Sequence, residues 1–182
     1  MKQNKLCLLD RDGVLNIDKD YLHRAEDVEW VPGSLEAVAW LTVHGFKVVV
    51  VTNQSGVARG FFTEDTVRKL HDWMQEEVKK SGGEIAAFYY CPHLPGAAVK
   101  QYDVDCECRK PKPGMIMHAL RDFSVQSDNA FLIGDNPRDV EAAEAAGVTG
   151  FMYTGGSLLD FVQKIVRNME AIWNIKTSSS SK

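Results

Sequence analysis

Asp10 and Asp12 stand one residue apart where the apolar run Leu6, Cys7, Leu8, Leu9 stops, in the stretch "LCLLDRDGVLN". Alternate residues of an extended segment project to one side, so the two acids can act on a common target while Arg11 between them points elsewhere. Two further polar sets follow apolar runs: Thr52 and Asn53 after Val48 to Val51, and Asp135 after "AFLIG". Carboxylates brought together suit Mg²⁺, a hard cation that takes oxygen ligands and commonly binds through one or two carboxylates plus substrate phosphate and water. A phosphate ester needs cations on its other side, and "CRKPKPG" offers Arg109, Lys110 and Lys112 just ahead of a predicted helix N-terminus. Taken alone, Asp10 and Asp12 read as turn formers, because Asp often bonds its own backbone after a strand.

A second cluster is built from softer ligands. Cys91, His93, Cys106 and Cys108 give Cys-x-His, twelve residues, then Cys-x-Cys. Three thiolates and an imidazole fill a four-coordinate zinc site with no open position, so this metal would be structural. It would pin a long loop and place Arg109 and Lys110. The alternative is a solvent loop of reduced cysteines. His44, His71 and His118 fall on predicted helices as structural or surface residues.

The elements must bring these groups together. Leu6 to Leu9 and Val48 to Val51 are apolar without alternation, as in strands buried on both faces of a parallel sheet. Strands are also expected at 85–90, 130–135 and 149–153. Helices are expected at 32–45, at 63–83 with Thr63 as N-cap, at 113–125, at 137–147 with Pro137 in the first turn, and near 156–173. Alternating strands and helices predict a parallel sheet with helices on both faces, its strand C-termini on one edge where ligands bind.

At 182 residues, with 45% hydrophobic and 25% charged residues, the chain reads as one globular domain. A net charge of -4 gives no general reason to bind nucleic acid or an anionic membrane, and an anionic substrate must be met by local cations. No apolar stretch reaches membrane-spanning length and no signal region is seen, so the cytoplasm is the expected location; a monomer and a small phosphorylated metabolite as substrate are further expectations.

In that order, "DRDG", "VVVTNQSG", "RKPKPG" and "IGDNPRD" resemble the four motifs of the haloacid dehalogenase (HAD) superfamily of phosphatases. "CPH…CEC", "TNQSGVARG" and "CRKPKPGM" narrow the resemblance to the group containing heptose-bisphosphate and histidinol phosphatases. It extends from Leu6 to the mid-150s. The resemblance implies a three-layer, Rossmann-like α/β fold with a mostly parallel sheet, a zinc-binding loop at 91–108 and no large cap domain. The domain would span 1–175, with 176–182 a disordered tail. Asp10 would be the nucleophile and Asp12 the general acid and base. Mg²⁺ would be held by the Asp10 and Asp135 side chains and the Asp12 carbonyl, with Asn136 as a further oxygen; Thr52, Asn53 and Lys110 would hold phosphoryl oxygens. Substrate contacts would come from Asp18, Lys19, Asp20, Tyr21, Gln54, Ser55, Arg59, Arg109 and Lys110.

One departure stands out. Many relatives carry Lys or Arg where this chain has Asn136. Asp139, a turn later, reads as a support for the site. The implied activity is removal of the 7-phosphate of D-glycero-D-manno-heptose 1,7-bisphosphate, with histidinol phosphate as the alternative substrate. A phosphotransferase and a non-catalytic zinc-stabilised binding module are the rival readings.

Overall fold

The computed structural model describes residues 4–179, with side chains through residue 171. Five strands form one parallel sheet: β1 (Lys5–Leu9), β2 (Phe46–Asn53), β3 (Ile85–Cys91), β4 (Ala130–Gly134) and β5 (Thr149–Met152), in the spatial order β3-β2-β1-β4-β5. The helices are α1 (Ser34–Val43), α2 (Glu64–Lys80), α3 (Gly114–Asp122), α4 (Pro137–Ala145) and α5 (Leu158–Ser179). The expected three-layer α/β architecture is therefore present, with every strand parallel.

Period-two alternation divides the core. Cys7, Leu9, Val48, Val50, Phe131 and Ile133 face residues of α1, α2 and α5, whereas Leu6, Leu8, Val49, Val51 and Leu132 face α3 and α4. Because both faces are covered, the strands have no polar side to show, which explains the unrelieved apolar runs.

Register fixes the edge. Leu9 pairs with Val50 on one side and Ile133 on the other, and the Asp10 N–H extends the ladder to the Ile133 carbonyl at 3.0 Å. The first residues past β1 and β4 and the last residues of β2 thus share one rim. The chain builds outward from β1 to β3 and then returns to place β4 on the opposite side of β1, so the rim beside β1 is the topological switch point where open α/β sheets bind ligands.

Connections after β1, β2 and β3, at 10–33, 54–63 and 92–113, supply the walls above this rim. None has the size of a cap domain. No described helix is long and apolar enough to cross a membrane.

Helix α4 begins with a device the sequence reading missed. Asn136 Oδ1 accepts from the Arg138 N–H at 3.3 Å and Asp139 Oδ2 accepts from the Asn136 N–H at 3.0 Å, a reciprocal capping box. Thr63 caps α2 as expected. Helix α5 runs to Ser179, past the expected end near 173, so 176–179 of the expected disordered tail are helical; 180–182 lie outside the described residues. Extending a formed helix adds a hydrogen bond for each residue fixed, without a new nucleation cost.

Gly134 lies where α4 approaches the sheet most closely: a Cβ there would collide with the Asp139 side chain. Gly134→Ala is expected to cost about 1–3 kcal/mol through overpacking, measured by urea unfolding.

Candidate active site

Lys110 organises the rim. Only 2% exposed, its ammonium donates to the Val51 carbonyl at 2.7 Å and pairs with Asp10 Oδ1 at 3.0 Å and Asp139 Oδ1 at 2.6 Å. Three acceptors fill its three N–H bonds. Asp10 Oδ1 also accepts from the Arg11 N–H at 2.8 Å. Burial, with the Asp139 and Asp12 charges, outweighs Lys110 and raises the Asp10 carboxyl to about 7. Asp135 is raised as well, by burial first and by Asp139 next.

Asp10, Asp135 and Asp139 bring carboxylate oxygens within 4.8 Å of one another. Three carboxylates against one ammonium leave two uncompensated negative charges at a half-buried point, which suits a divalent, oxygen-seeking cation such as Mg²⁺. Asp139, however, has Lys110 on one oxygen and the Asn136 N–H on the other, so Asp10 and Asp135 are the side chains better placed as ligands. Gly13 makes room: φ is +86° there and a Cβ would overlap the Asp135 carboxylate.

Asp12 points to a different set of partners. Its carboxylate accepts from Arg11, from Asn16 Nδ2 at 3.0 Å and from Gln54 Nε2 at 2.9 Å. Arg11 does not point elsewhere as the alternation rule suggested. The chain leaves β1 in a tight turn, Leu15 and Asn16 N–H returning to the Arg11 carbonyl, and the buried guanidinium folds back onto Asp12.

A cleft of about 310 Å³ opens over these groups. Asp10, Asp12, Asp18, Asp20, Tyr21, Thr52, Asn53, Gln54, Ser55, Arg59, Arg109, Asp135 and Asn136, all anticipated, line it. Three of them have side chains engaged otherwise than expected. Asn53 clamps the Lys110 backbone, donating to its carbonyl at 3.0 Å and accepting from its N–H at 3.1 Å, so its amide positions Lys110 instead of facing a phosphoryl group. Gln54 Nε2 bridges Thr52 Oγ1 and Asp12 Oδ2, both at 2.9 Å, and orders those two side chains. Asn136 spends its Oδ1 on the α4 cap. Lys19 is not among the lining residues; its ammonium turns outward to Glu29 at 3.1 Å. Lys110 too is absent from the lining, being buried beneath Asp10.

Arg138 and Gly56 are the lining residues that sequence reasoning missed, and Arg138 is the charged one. Its position in the first turn of a helix springing from the Asp135 rim was the available signal. Arg59, Arg109 and Arg138 carry no carboxylate partner among the described residues. Arg109 donates to the His93 carbonyl at 3.2 Å, and Arg59 lies over the Tyr21 ring at 5.6 Å. Burial lowers the Arg109 pKa; the neighbouring cysteines oppose this, whereas Arg138 and Arg59 push it further down, as neighbouring like charges must. Beside Arg59, Asp20 and Tyr21 adopt left-handed φ of 48° and 58°, and Tyr21 is buttressed edge-on by Phe61 at 4.9 Å.

The Cys91, His93, Cys106 and Cys108 cluster lies directly behind Arg109. Its Sγ atoms are 3.0 to 3.4 Å apart, with His93 Nδ1 at 3.8 and 3.5 Å from Cys91 and Cys108. These are far longer than the ~2.05 Å of a disulfide and close to the ~3.8 Å edge of a tetrahedron with ~2.3 Å metal–sulfur bonds. The donor set fits zinc.

The chain and its fold have known relatives. A family model described as HAD-hydrolase-like matches residues 107–161. The chain is 43% identical over 164 residues to a D-glycero-beta-D-manno-heptose-1,7-bisphosphate 7-phosphatase of Rhodopseudomonas palustris, covering 90% of this chain and 91% of the relative. It is 37% identical over 150 residues to a D-glycero-alpha-D-manno-heptose-1,7-bisphosphate 7-phosphatase of Photorhabdus laumondii, covering 81% and 82%. Among solved structures it is similar to a D,D-heptose 1,7-bisphosphate phosphatase from B. bronchiseptica complexed with magnesium and phosphate, with a TM-score of 0.80 and 34% identity over 90% of this chain and 99% of that one.

Folding raises the Asp10 carboxyl above its ordinary 3.8, so the folded protein holds that proton more tightly than the unfolded chain. The stability it contributes is complete below about pH 4 and is lost as pH rises toward about 7. Thermal melts in Mg²⁺-free buffer should show this loss, and added Mg²⁺ should raise Tm more at pH 8 than at pH 5.

Proposed function

Because the chain belongs to the HAD-like phosphatases, in the family of the heptose-1,7-bisphosphate 7-phosphatases, we propose that it removes the 7-phosphate of D-glycero-D-manno-heptose 1,7-bisphosphate. The observation that carries the substrate assignment is the trio Arg59, Arg109 and Arg138, which line the same cleft as the reactive carboxylates, have no ion pair among the described residues, and of which Arg109 is repelled by the other two. Such an arrangement is relieved by an anion, and a bisphosphate brings a second one. Histidinol phosphate brings an ammonium instead. Asp18 and Asp20, in the same lining, supply acceptors for sugar hydroxyls.

The chemistry follows from the rim. Arg11 N–H and Lys110 hold Asp10 Oδ1, which leaves Oδ2 to attack phosphorus as the bond to the C7 oxygen breaks. Asp12, once it carries a proton in place of one of the hydrogen bonds it accepts from Arg11, Asn16 and Gln54, gives that proton to the departing oxygen, producing the sugar hydroxyl and an aspartyl phosphate. Asp12 then takes a proton from water as the water attacks the phosphorus, releasing phosphate and regenerating Asp10. Thr52 Oγ1 already accepts from Gln54, so its own hydrogen is free to donate to a phosphoryl oxygen. Mg²⁺ bound by Asp10, Asp135 and the Asp12 carbonyl would neutralise charge that otherwise repels the ester. Zinc at the cysteine cluster would hold the wall that carries Arg109; its thiolates need a reducing compartment, which the cytoplasm supplies.

Phosphate release from both anomers of the heptose bisphosphate, the heptose 7-phosphate and histidinol phosphate tests the reading. Release from the bisphosphates should be fastest, should need Mg²⁺ and should vanish in Asp10→Asn; fastest release from histidinol phosphate would overturn the substrate assignment. Arg138→Ala should raise KM for the bisphosphate about 10-fold to 100-fold, the worth of a hydrogen bond to a charged group, and leave the monophosphate nearly unchanged. Metal analysis of the purified chain should find about one zinc per chain.

A further inference from the structure

Arg11 lies within the reactive motif yet no step above uses its side chain. At 1% exposure it is the largest fully buried side chain among the described residues, and all three guanidinium nitrogens are engaged. Nε donates to Asp12 Oδ1 at 3.1 Å, and Nη2 donates to Asp12 Oδ1 and Oδ2, both at 3.0 Å, and to the Leu22 carbonyl at 2.9 Å. Nη1 faces His71 Nε2 at 3.2 Å, sixty residues away on α2. A guanidinium has no proton acceptor, so the imidazole must accept, with its proton on Nδ1. His71 is itself buried, stacked on Phe88 at 4.5 Å and edge-on to Tyr90 at 5.8 Å. Burial, reinforced by the Arg11 charge, keeps it neutral by driving its pKa well below the usual imidazole value.

We infer that Arg11 and His71 are positioning residues for Asp12: the histidine fixes the guanidinium plane, and the plane fixes the direction of the carboxylate that exchanges protons with the leaving oxygen and with water. The inference rests on Asp12 being the general acid, as proposed above. An apolar ring at 71 preserves the packing but leaves Nη1 without an acceptor in a dry pocket, and the fork then turns to find one. Because the same Nη2 grips Leu22, which follows the left-handed pair Asp20 and Tyr21, one guanidinium ties the proton-transfer group to the cleft wall. His71 reaches no lining position of the cleft, so its loss acts on Asp12 and not on substrate contacts.

The leaving group separates positioning from mere packing. An alkyl phosphate needs its departing oxygen protonated, whereas p-nitrophenyl phosphate leaves as a stable anion. Single-turnover release of the alcohol or phenol from the heptose bisphosphate and from p-nitrophenyl phosphate is measured with Mg²⁺-loaded wild type, His71→Phe, His71→Gln, Arg11→Lys and Asp12→Asn. His71→Phe is expected to slow the alkyl ester about 10-fold to 100-fold with KM unchanged, the effect of displacing a catalytic group by a fraction of an ångström. The aryl ester should change less than about 2-fold, since its departing oxygen gains little from a positioned acid. His71→Gln, which can present an acceptor near the Nε2 position, should recover most of the rate. If His71→Phe does not fold, Arg11→Lys, which keeps the charge without the fork, should show the same ester selectivity. Equal slowing of both esters in the folded variants, or no slowing of either, overturns the inference while the Asp12 assignment stands, provided Asp12→Asn discriminates between the esters. An Asp12→Asn variant that slows both equally overturns the general-acid reading and this inference with it.

Discussion

One ammonium placed between two carboxylates underlies the whole arrangement. Lys110 joins Asp10, at the end of β1, to Asp139, in the first turn of α4, and its third bond goes to the last turn of the β2 ladder at Val51. A buried ion pair is a poor source of net stability, because desolvation consumes much of the Coulombic gain. Here it does something else: it fixes the relative positions of three elements that have no covalent reason to meet, and leaves the acids short of positive charge. The metal reading follows from that deficit, and the raised Asp10 carboxyl follows from burial first and from the neighbouring Asp139 and Asp12 charges second.

Period and composition made the sheet legible. The valine run of β2 and the leucine run of β1 have no competing interpretation once their length is short and glycines bound the neighbouring helices. The rim acids were legible because charge at the end of a buried strand is conspicuous. What escaped was direction. Asn53 and Gln54 look in sequence like substrate donors, yet each is drawn to a partner, buried Lys110 and half-buried Asp12 respectively, that lies far away along the chain. Arg138 escaped because its neighbours Asn136 and Asp139 attracted the reading, although its place in the first helical turn beside Asp135 offered the clue. Arg11 was misplaced because alternation holds only while the chain stays extended, and here it turns at once.

The walls of the cleft are fastened at several points, some of them to one another. The cysteine loop is held by its own ligand cluster and also by Glu64, whose two oxygens accept from Tyr90 at 2.7 Å and Tyr102 at 2.9 Å. The wall from 10–33 is held by Arg11 through Leu22 and by the Tyr21–Phe61 contact. In a phosphatase without a cap domain, such fastening supplies from short connections the enclosure that a cap would otherwise provide.

The clamp of Asn53 on the Lys110 backbone has a consequence for how this loop can change. Cys108 is tied to its cluster and Lys110 to the end of β2, with Arg109 alone between the two anchors. That stretch is a ruler of fixed length, and inserting or deleting one residue in it would either open the ligand cluster or slide the ammonium off both acids.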